Sequence, residues 1–216
     1  MARAFLGAVT LALGLLAAQP RADAREVFSG LDLITNCEDL VICKLFLMGV
    51  LDAHWSLSDW NRVEPTICAP QTLSIEQLWA LVLAFFYDNG DRLEFESTAG
   101  SLSLIALENR HPCRPQAAAE PAMAATPISR FYIGLELILA CANPIVCETF
   151  LIGVLDGYQT LVDWGRIDPI VCLPEDVTNR ELMFATLTYL GENQEQLQFT
   201  AGSLTLLALN RNYPCR

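Results

Sequence analysis

Histidine is nearly missing from this sequence: the 216 residues include only His54 and His111. There is no C-x-x-C pair, no glycine-rich phosphate loop and no set of carboxylates at metal-ligand spacing. These absences leave little support for a zinc site, the alternative use of the chain's eight cysteines, or for a nucleotide-phosphate loop. They leave no nucleophile–base set, so we expect no catalytic residue, no metal site, no cofactor and no enzyme. Positive charge is also short, with 13 Lys and Arg against 25 Asp and Glu and a formal net charge of -12. An acidic chain without a basic stripe is a poor nucleic-acid binder and is repelled by anionic lipid headgroups. Its electrostatic complement is a partner with a basic face. The same charge also keeps a domain soluble, and that alternative stays open. No alternating segment argues for a sheet. After the N-terminal region, no stretch reads as both long and uncharged enough to cross a membrane.

The N-terminus is where a long apolar run does occur. Arg3 is followed by Ala4 to Ala18, apolar or small throughout except for Thr10, and then by Ala22-Asp23-Ala24. The run is short of the ~20 residues that span a bilayer. Small residues sit at the two positions that signal peptidase reads. Residues 1–24 are therefore read as a signal peptide cleaved after Ala24, which directs export. Arg3, Arg21 and Asp23 leave with it, so the mature chain carries -13.

The remainder is one unit written twice. Cys37, Cys43 and Cys68 recur 104 positions later as Cys141, Cys147 and Cys172. Gly49-Val50-Leu51-Asp52 recurs as Gly153-Val154-Leu155-Asp156, and Asp59-Trp60 as Asp163-Trp164. Arg62 and Pro65 recur as Arg166 and Pro169. Towards the end the offset is 102: Ala99-Gly100-Ser101-Leu102 matches Ala201-Gly202-Ser203-Leu204, and Pro112-Cys113 matches Pro214-Cys215. A two-residue indel near Glu96-Ser97 accounts for the change. The copies span 25–114 and 129–216, and 115–128, rich in proline and alanine, reads as a semi-stiff linker. It is long enough for the copies either to pack together or to stay apart.

Each copy reads as about four helices, which makes the chain all-α: two tandem disulfide-stapled helical bundles. The first helix is placed at Val27–Cys37, with Val27, Leu31 and Ile34 on one face and Phe131, Leu135 and Ile138 as their counterparts. The second, about Val41–Trp60, carries an apolar stripe of Cys43, Phe46, Leu47, Val50, Leu51 and His54. Gly49 and Gly153 fall mid-helix, where glycine costs ~1 kcal/mol against alanine, so a close helix neighbour is expected there. The third helix opens on capping boxes, Ser74 with Gln77 and Thr178 with Glu181, and ends near Asp88 and Leu190. The fourth is about Phe95–Asn109 and Phe199–Asn210, stopped by Pro112 and Pro214.

Eight cysteines in an exported chain read as disulfides. In an up-down bundle, the end of helix one and the start of helix two share a pole, while the start of three and the end of four share the other. That order suggests Cys37–Cys43, Cys68–Cys113, Cys141–Cys147 and Cys172–Cys215. Four cysteines per copy allow three connectivities, so the order suggests rather than dictates. Loop-closure entropy assigns ~2 kcal/mol to the short bridges and ~4 to the long ones. In a domain this small both matter.

Among polar positions, Asp52 and Asp156 are the most pointed. Either they meet a partner, or they are buried carboxylates bonded to backbone or to Arg62 and Arg166. The structural reading carries more weight, because paired polar positions inside helices usually hold an arrangement fixed. Gly49, Trp60, Gly153 and Trp164 are read as architecture too. His54 aligns with Tyr158 and His111 with Tyr213, so neither is a shared general base. The polar turns after helix three, with Asp88, Asn89 and Asp91 in one copy and Glu192, Asn193 and Glu195 in the other, differ in sequence. They suit a binding loop or an unconstrained surface.

Taken together, Gly30-Leu31-Asp32-Leu33, Cys43 with Gly49-Val50-Leu51-Asp52, Cys68-Ala69-Pro70, and Ala106-Leu107 with Pro112-Cys113 resemble the Rap/Tai family of type VI secretion immunity proteins. The second copy repeats the pattern with Gly134-Leu135-Glu136-Leu137, Cys147 with Gly153-Val154-Leu155-Asp156, Cys172-Leu173-Pro174, and Ala208-Leu209 with Pro214-Cys215. The resemblance covers nearly all of the mature chain outside the linker. It implies a periplasmic inhibitor that blocks a peptidoglycan-cutting amidase, a protein toxin. Family members tend to form homodimers, so two copies in one chain imply an intramolecular pseudo-dimer. A chaperone-like periplasmic interaction protein is the alternative.

Overall fold

The computed structural model describes residues 29–30, 37, 40–70, 72–89, 97–113 and 131–215. Seven α-helices are present among them: α1 Leu40–Asp59, α2 Ile75–Asn89, α3 Ala99–Arg110, α4 Gly134–Ala140, α5 Pro144–Asp163, α6 Asn179–Glu192 and α7 Ala201–Asn212. A 3-10 turn at Gln194–Gln196 follows α6. The described residues contain no strand, only four isolated bridges, two in each copy at equivalent places. The signal-peptide residues, the linker, and Val27, Leu31 and Ile34 of the first copy's opening helix lie outside the described residues.

Local chemistry sets the helix ends. Ser74 and Thr178 cap α2 and α6, with Gln77 and Glu181 reaching back to the cap N–H at 2.8 Å in each copy. Thr98 and Thr200 do the same for α3 and α7, accepting from Ser101 N and Ser203 N. Pro144 opens α5 behind the Asn143 cap, where its missing N–H costs nothing. Both long helices close on a left-handed residue, Asn61 (φ 54°) and Gly165 (φ 64°). The N–H of Arg62 then reaches Leu57 O at 2.8 Å, and that of Arg166 reaches Leu161 O at 2.9 Å. This is the Schellman closure of a helix C-terminus.

Disulfides join Cys37–Cys43, Cys68–Cys113, Cys141–Cys147 and Cys172–Cys215, the pairing that helix order suggests. The long bridges are reinforced by backbone bonds, Cys68 N to His111 O and Cys113 N to Thr66 O in one copy. Cys172 N to Tyr213 O and Cys215 N to Ile170 O repeat them in the other.

The expected face of the opening helix holds at Phe131 and Ile138 and fails at Leu135. In α4, Leu137 is fully buried while Leu135 is half exposed. The helix starts only at Gly134, and a Cβ there would stand 2.4 Å from Leu204 Cδ1. The side of α4 that meets the core is Gly134, Leu137 and Ile138; Phe131 precedes the helix but still packs against the core, so Leu135 alone of the expected trio turns outward.

The two copies pack together, with α1 lying against α5. A Cβ at Gly49 would fall 2.2 Å from Phe150 O, and one at Gly153 would fall 2.1 Å from Phe46 O. Gly157 continues the contact, 2.8 Å from Val50 O on the same construction. Small residues at this spacing let two helix backbones touch. The buried stripe of α1 (Cys43, Phe46, Leu47, Val50, Leu51) thus merges with Phe150, Val154 and Tyr158 of α5 into one core. Each such side chain contributes about 1.5–3 kcal/mol by leaving water. The pairing also corrects the expectation about membrane-length segments. By length and composition Val41–Asp59 and Pro144–Asp163 are apolar enough to cross a bilayer, but 67% and 72% of these windows are buried within the fold. Each helix carries only three charged residues, Lys44, Asp52 and Asp59 in α1 and Glu148, Asp156 and Asp163 in α5, so its mean hydropathy stays high despite a carboxylate in the middle.

Candidate functional site

The repeated carboxylates occupy the junction between the copies. Asp52 on α1 accepts a hydrogen bond from Gly202 N at the start of α7, at 2.6 Å. Asp156 on α5 accepts one from Gly100 N at the start of α3, at 2.8 Å. Each aspartate belongs to one copy and caps a helix of the other. Both are buried, at 1% and 5% exposure. The N-terminal N–H groups and dipole of a helix favour negative charge there. The glycines are needed because a Cβ at Gly100 would lie 2.7 Å from Asp156 Cγ, and one at Gly202 would lie 2.8 Å from Asp52 Oδ2. So the two recurring motifs, Gly-Val-Leu-Asp and Ala-Gly-Ser-Leu, meet across the junction. Ser56 adds a further tie there, accepting from Ser203 Oγ at 2.9 Å.

Among the ion pairs of the described residues, none joins Asp52 or Asp156 to Arg62 or Arg166, the other form of the structural expectation. Arg166 instead makes a two-armed ion pair with Glu108 of the other copy, Nη1 to Oε1 and Nη2 to Oε2. Thr66 donates to the same carboxylate at 2.6 Å. The guanidinium lies 4.4 Å from the centre of the Trp164 ring, a cation–π stack. Burial pushes the Glu108 carboxyl up, but the bonds from Arg166 and Thr66 outweigh it and hold the group below its ordinary value.

His54 lies fully buried, and neither ring nitrogen has a hydrogen-bond partner among the described residues. Burial pulls its pKa from 6.5 down to about 4, against the Glu108 charge and with a smaller contribution from Arg166. Its counterpart Tyr158 is longer, and its hydroxyl accepts from Ile170 N and Val171 N at 2.7 and 2.8 Å. The imidazole of His54 is therefore a packed neutral ring rather than a poised base. All eight cysteines are committed to disulfides, so no thiol is available as a nucleophile.

The turns after helix three are only partly in view. Asp88 is exposed, while Asp91 lies outside the described residues. Asn89 turns its amide back to Phe85 O at 2.9 Å, and Asn193 does the same to Tyr189 O at 2.8 Å. These two asparagines finish their helices. Glu192 pairs with Arg211 at 2.9 Å, and Glu195 is exposed on the 3-10 turn. Large apolar side chains also face solvent, including Leu139 on α4, Ile145 on α5 and Phe184 on α6. Sequence periodicity gave no sign of these.

Two stretches of the chain, 29–113 and 140–215, each match the family model of the Rap1a immunity proteins. The chain belongs to the Rap1a immunity protein family. No curated protein and no solved structure matches it. The first Rap1a stretch ends on Cys113 and the second on Cys215, so each match contains the disulfides of one copy. Membership in Rap1a makes the chain an immunity protein directed against a secreted effector, with a protein as its binding partner. With its disulfides, it also points to an exported protein.

Proposed function

We propose that this protein works in the periplasm, where it binds and occludes a cell-wall-degrading, amidase-type effector delivered by type VI secretion. The observation that carries the reading is that both halves match the Rap1a family and both keep their disulfide framework. The signal-peptide pattern in residues 1–24 and the oxidised cysteines suit that compartment. In this scheme the domains are 25–114 and 129–216, joined by 115–128. Inhibition is stoichiometric: a rigid, acidic body fills the effector's cleft and needs no chemistry of its own. Asp88, Asn89, Asp91, Glu192, Asn193 and Glu195 are the proposed contact loops, with acidic groups placed to meet a basic cleft rim.

Co-expression with the neighbouring secreted toxin, targeted to the periplasm, tests this. Protection from lysis and a co-purifying complex are the expected outcome. Continued lysis with no complex in a pull-down defeats the proposal. Protection that fails only against an amidase would overturn the assigned effector class.

A further inference from the structure

The junction has two equivalent corners, and among the described residues only one of them holds an ion pair. At the first, Arg166 of the second copy holds Glu108, with Thr66 completing the carboxylate's bonds and Trp164 beneath the guanidinium. The repeat places Arg62, Trp60, Asn210 and Ile170 at the matching positions of the second corner. The arginine and the tryptophan are kept. The glutamate has become asparagine, and the threonine isoleucine. Among the described residues no carboxylate pairs with Arg62, which is exposed. What stands there instead is a pocket of about 380 Å³ lined by Trp60, Arg62, Ile170, Leu206, Leu207 and Asn210.

We propose that this pocket takes a carboxylate side chain on an apolar stem, presented by the protein partner of the immunity function. The filled corner shows the chemistry that fits: a side-chain carboxylate received by a guanidinium that is packed on an indole. Ile170 in place of Thr66 removes a hydroxyl donor and adds an apolar wall, and Leu206 and Leu207 extend that wall. Asn210 leaves an amide able to donate to the incoming oxygen. The negative net charge of the chain repels a free anion at long range, whereas it attracts a basic surface. An acidic residue carried on an otherwise basic partner face meets both conditions. The proposal rests on the immunity reading for the partner's identity, but the chemistry of the pocket does not.

The test uses 4-methylpentanoate as a probe, titrated into the full mature chain and followed by the amide and indole N–H signals of Arg62 and Trp60 in nitrogen–proton NMR spectra. The acid is expected to shift these signals. 4-Methylpentanamide should bind about tenfold more weakly or less, since it loses a charge-assisted pair. Arg62→Gln should cost the acid the same factor. The double change Asn210→Glu with Ile170→Thr rebuilds the filled corner, so it should abolish probe binding while the chain stays folded. Equal binding of acid and amide, unchanged affinity in Arg62→Gln, retention of binding in the double variant, or no shift with the acid overturns the proposal. The titration contains no effector, so its failure refutes the pocket and leaves the immunity reading standing. A failed co-expression experiment does the reverse. With the effector in hand, Arg62→Gln should weaken the complex about tenfold or more, and an unchanged complex overturns the assignment to a partner side chain.

Discussion

Gly49→Ala is the most direct test of how the copies meet. The new Cβ would stand 2.2 Å from Phe150 O and 2.7 Å from Val154 N. Both are backbone atoms, so no rotamer change relieves the clash. A carbon–oxygen contact needs about 3.3 Å, so α1 and α5 must part by roughly 1 Å at the crossing. A gap of that size forfeits about a quarter to a half of the dispersion energy of each affected contact, among them those of Phe46, Val50, Phe150 and Val154. Overpacking costs about 1–3 kcal/mol, and a clash with backbone that no rotamer relieves belongs at the upper end, about 2–3 kcal/mol, against ~1 kcal/mol gained from alanine's helix propensity. A net loss of about 1–2 kcal/mol is expected. Gly191→Ala is the control: it is also helical, but nothing lies within 4 Å of its Cβ. It should gain about 0.5–1 kcal/mol from propensity alone. Equilibrium urea unfolding with the disulfides intact, followed by far-ultraviolet circular dichroism, measures both. If Gly49→Ala matches or exceeds the parent while Gly191→Ala gains as forecast, the backbone-to-backbone crossing does not exist in solution.

Three further outcomes follow from the same geometry. Replacing Asp52 or Asp156 with leucine strands a buried helix N–H of the opposite copy and should cost about 1–3 kcal/mol each in urea unfolding, with Asn in place of Asp milder; no loss in either variant refutes the reciprocal capping. His54 takes up a proton near pH 6.5 when unfolded but only near pH 4 when folded, so stability should fall as pH drops through that window, by up to ~3 kcal/mol. His54→Phe should flatten the dependence between pH 6.5 and 4, and an unchanged slope counts against a buried neutral imidazole. Glu108→Gln keeps the shape of the filled corner but removes its charge, and should lower the thermal midpoint at neutral pH more than Glu195→Gln on the exposed turn does, because Glu108 faces Arg166 and Thr66.

Much of this was legible in the sequence because it was written twice. The capping boxes, the stripe on α1, the disulfide order and the glycines at 49 and 153 each carry a local rule that one copy states and the other repeats. What escaped was whatever depends on the two copies touching. Nothing in Gly-Val-Leu-Asp alone says that its aspartate reaches Gly202, since the bond joins residues 150 positions apart. Leu135 read as core because a 3.6-residue period fits Phe131, Leu135 and Ile138; the late start of α4 and the close approach of Gly134 to Leu204 leave Phe131 and Ile138 against the core but turn Leu135 outward. The empty corner was visible in principle as Glu108 against Asn210. A difference between repeats acquires meaning only when the residues around it are known to converge.

The crossed aspartates bear on how such a chain can change over time. When two identical chains associate, every substitution appears on both sides of the axis, so a corner cannot be opened without opening its twin. Here each half closes a helix of the other, and neither is complete in isolation. Because they are covalently joined, the axis no longer enforces likeness. One corner can remain a strut while its twin differs, free to serve as a place where something else is held.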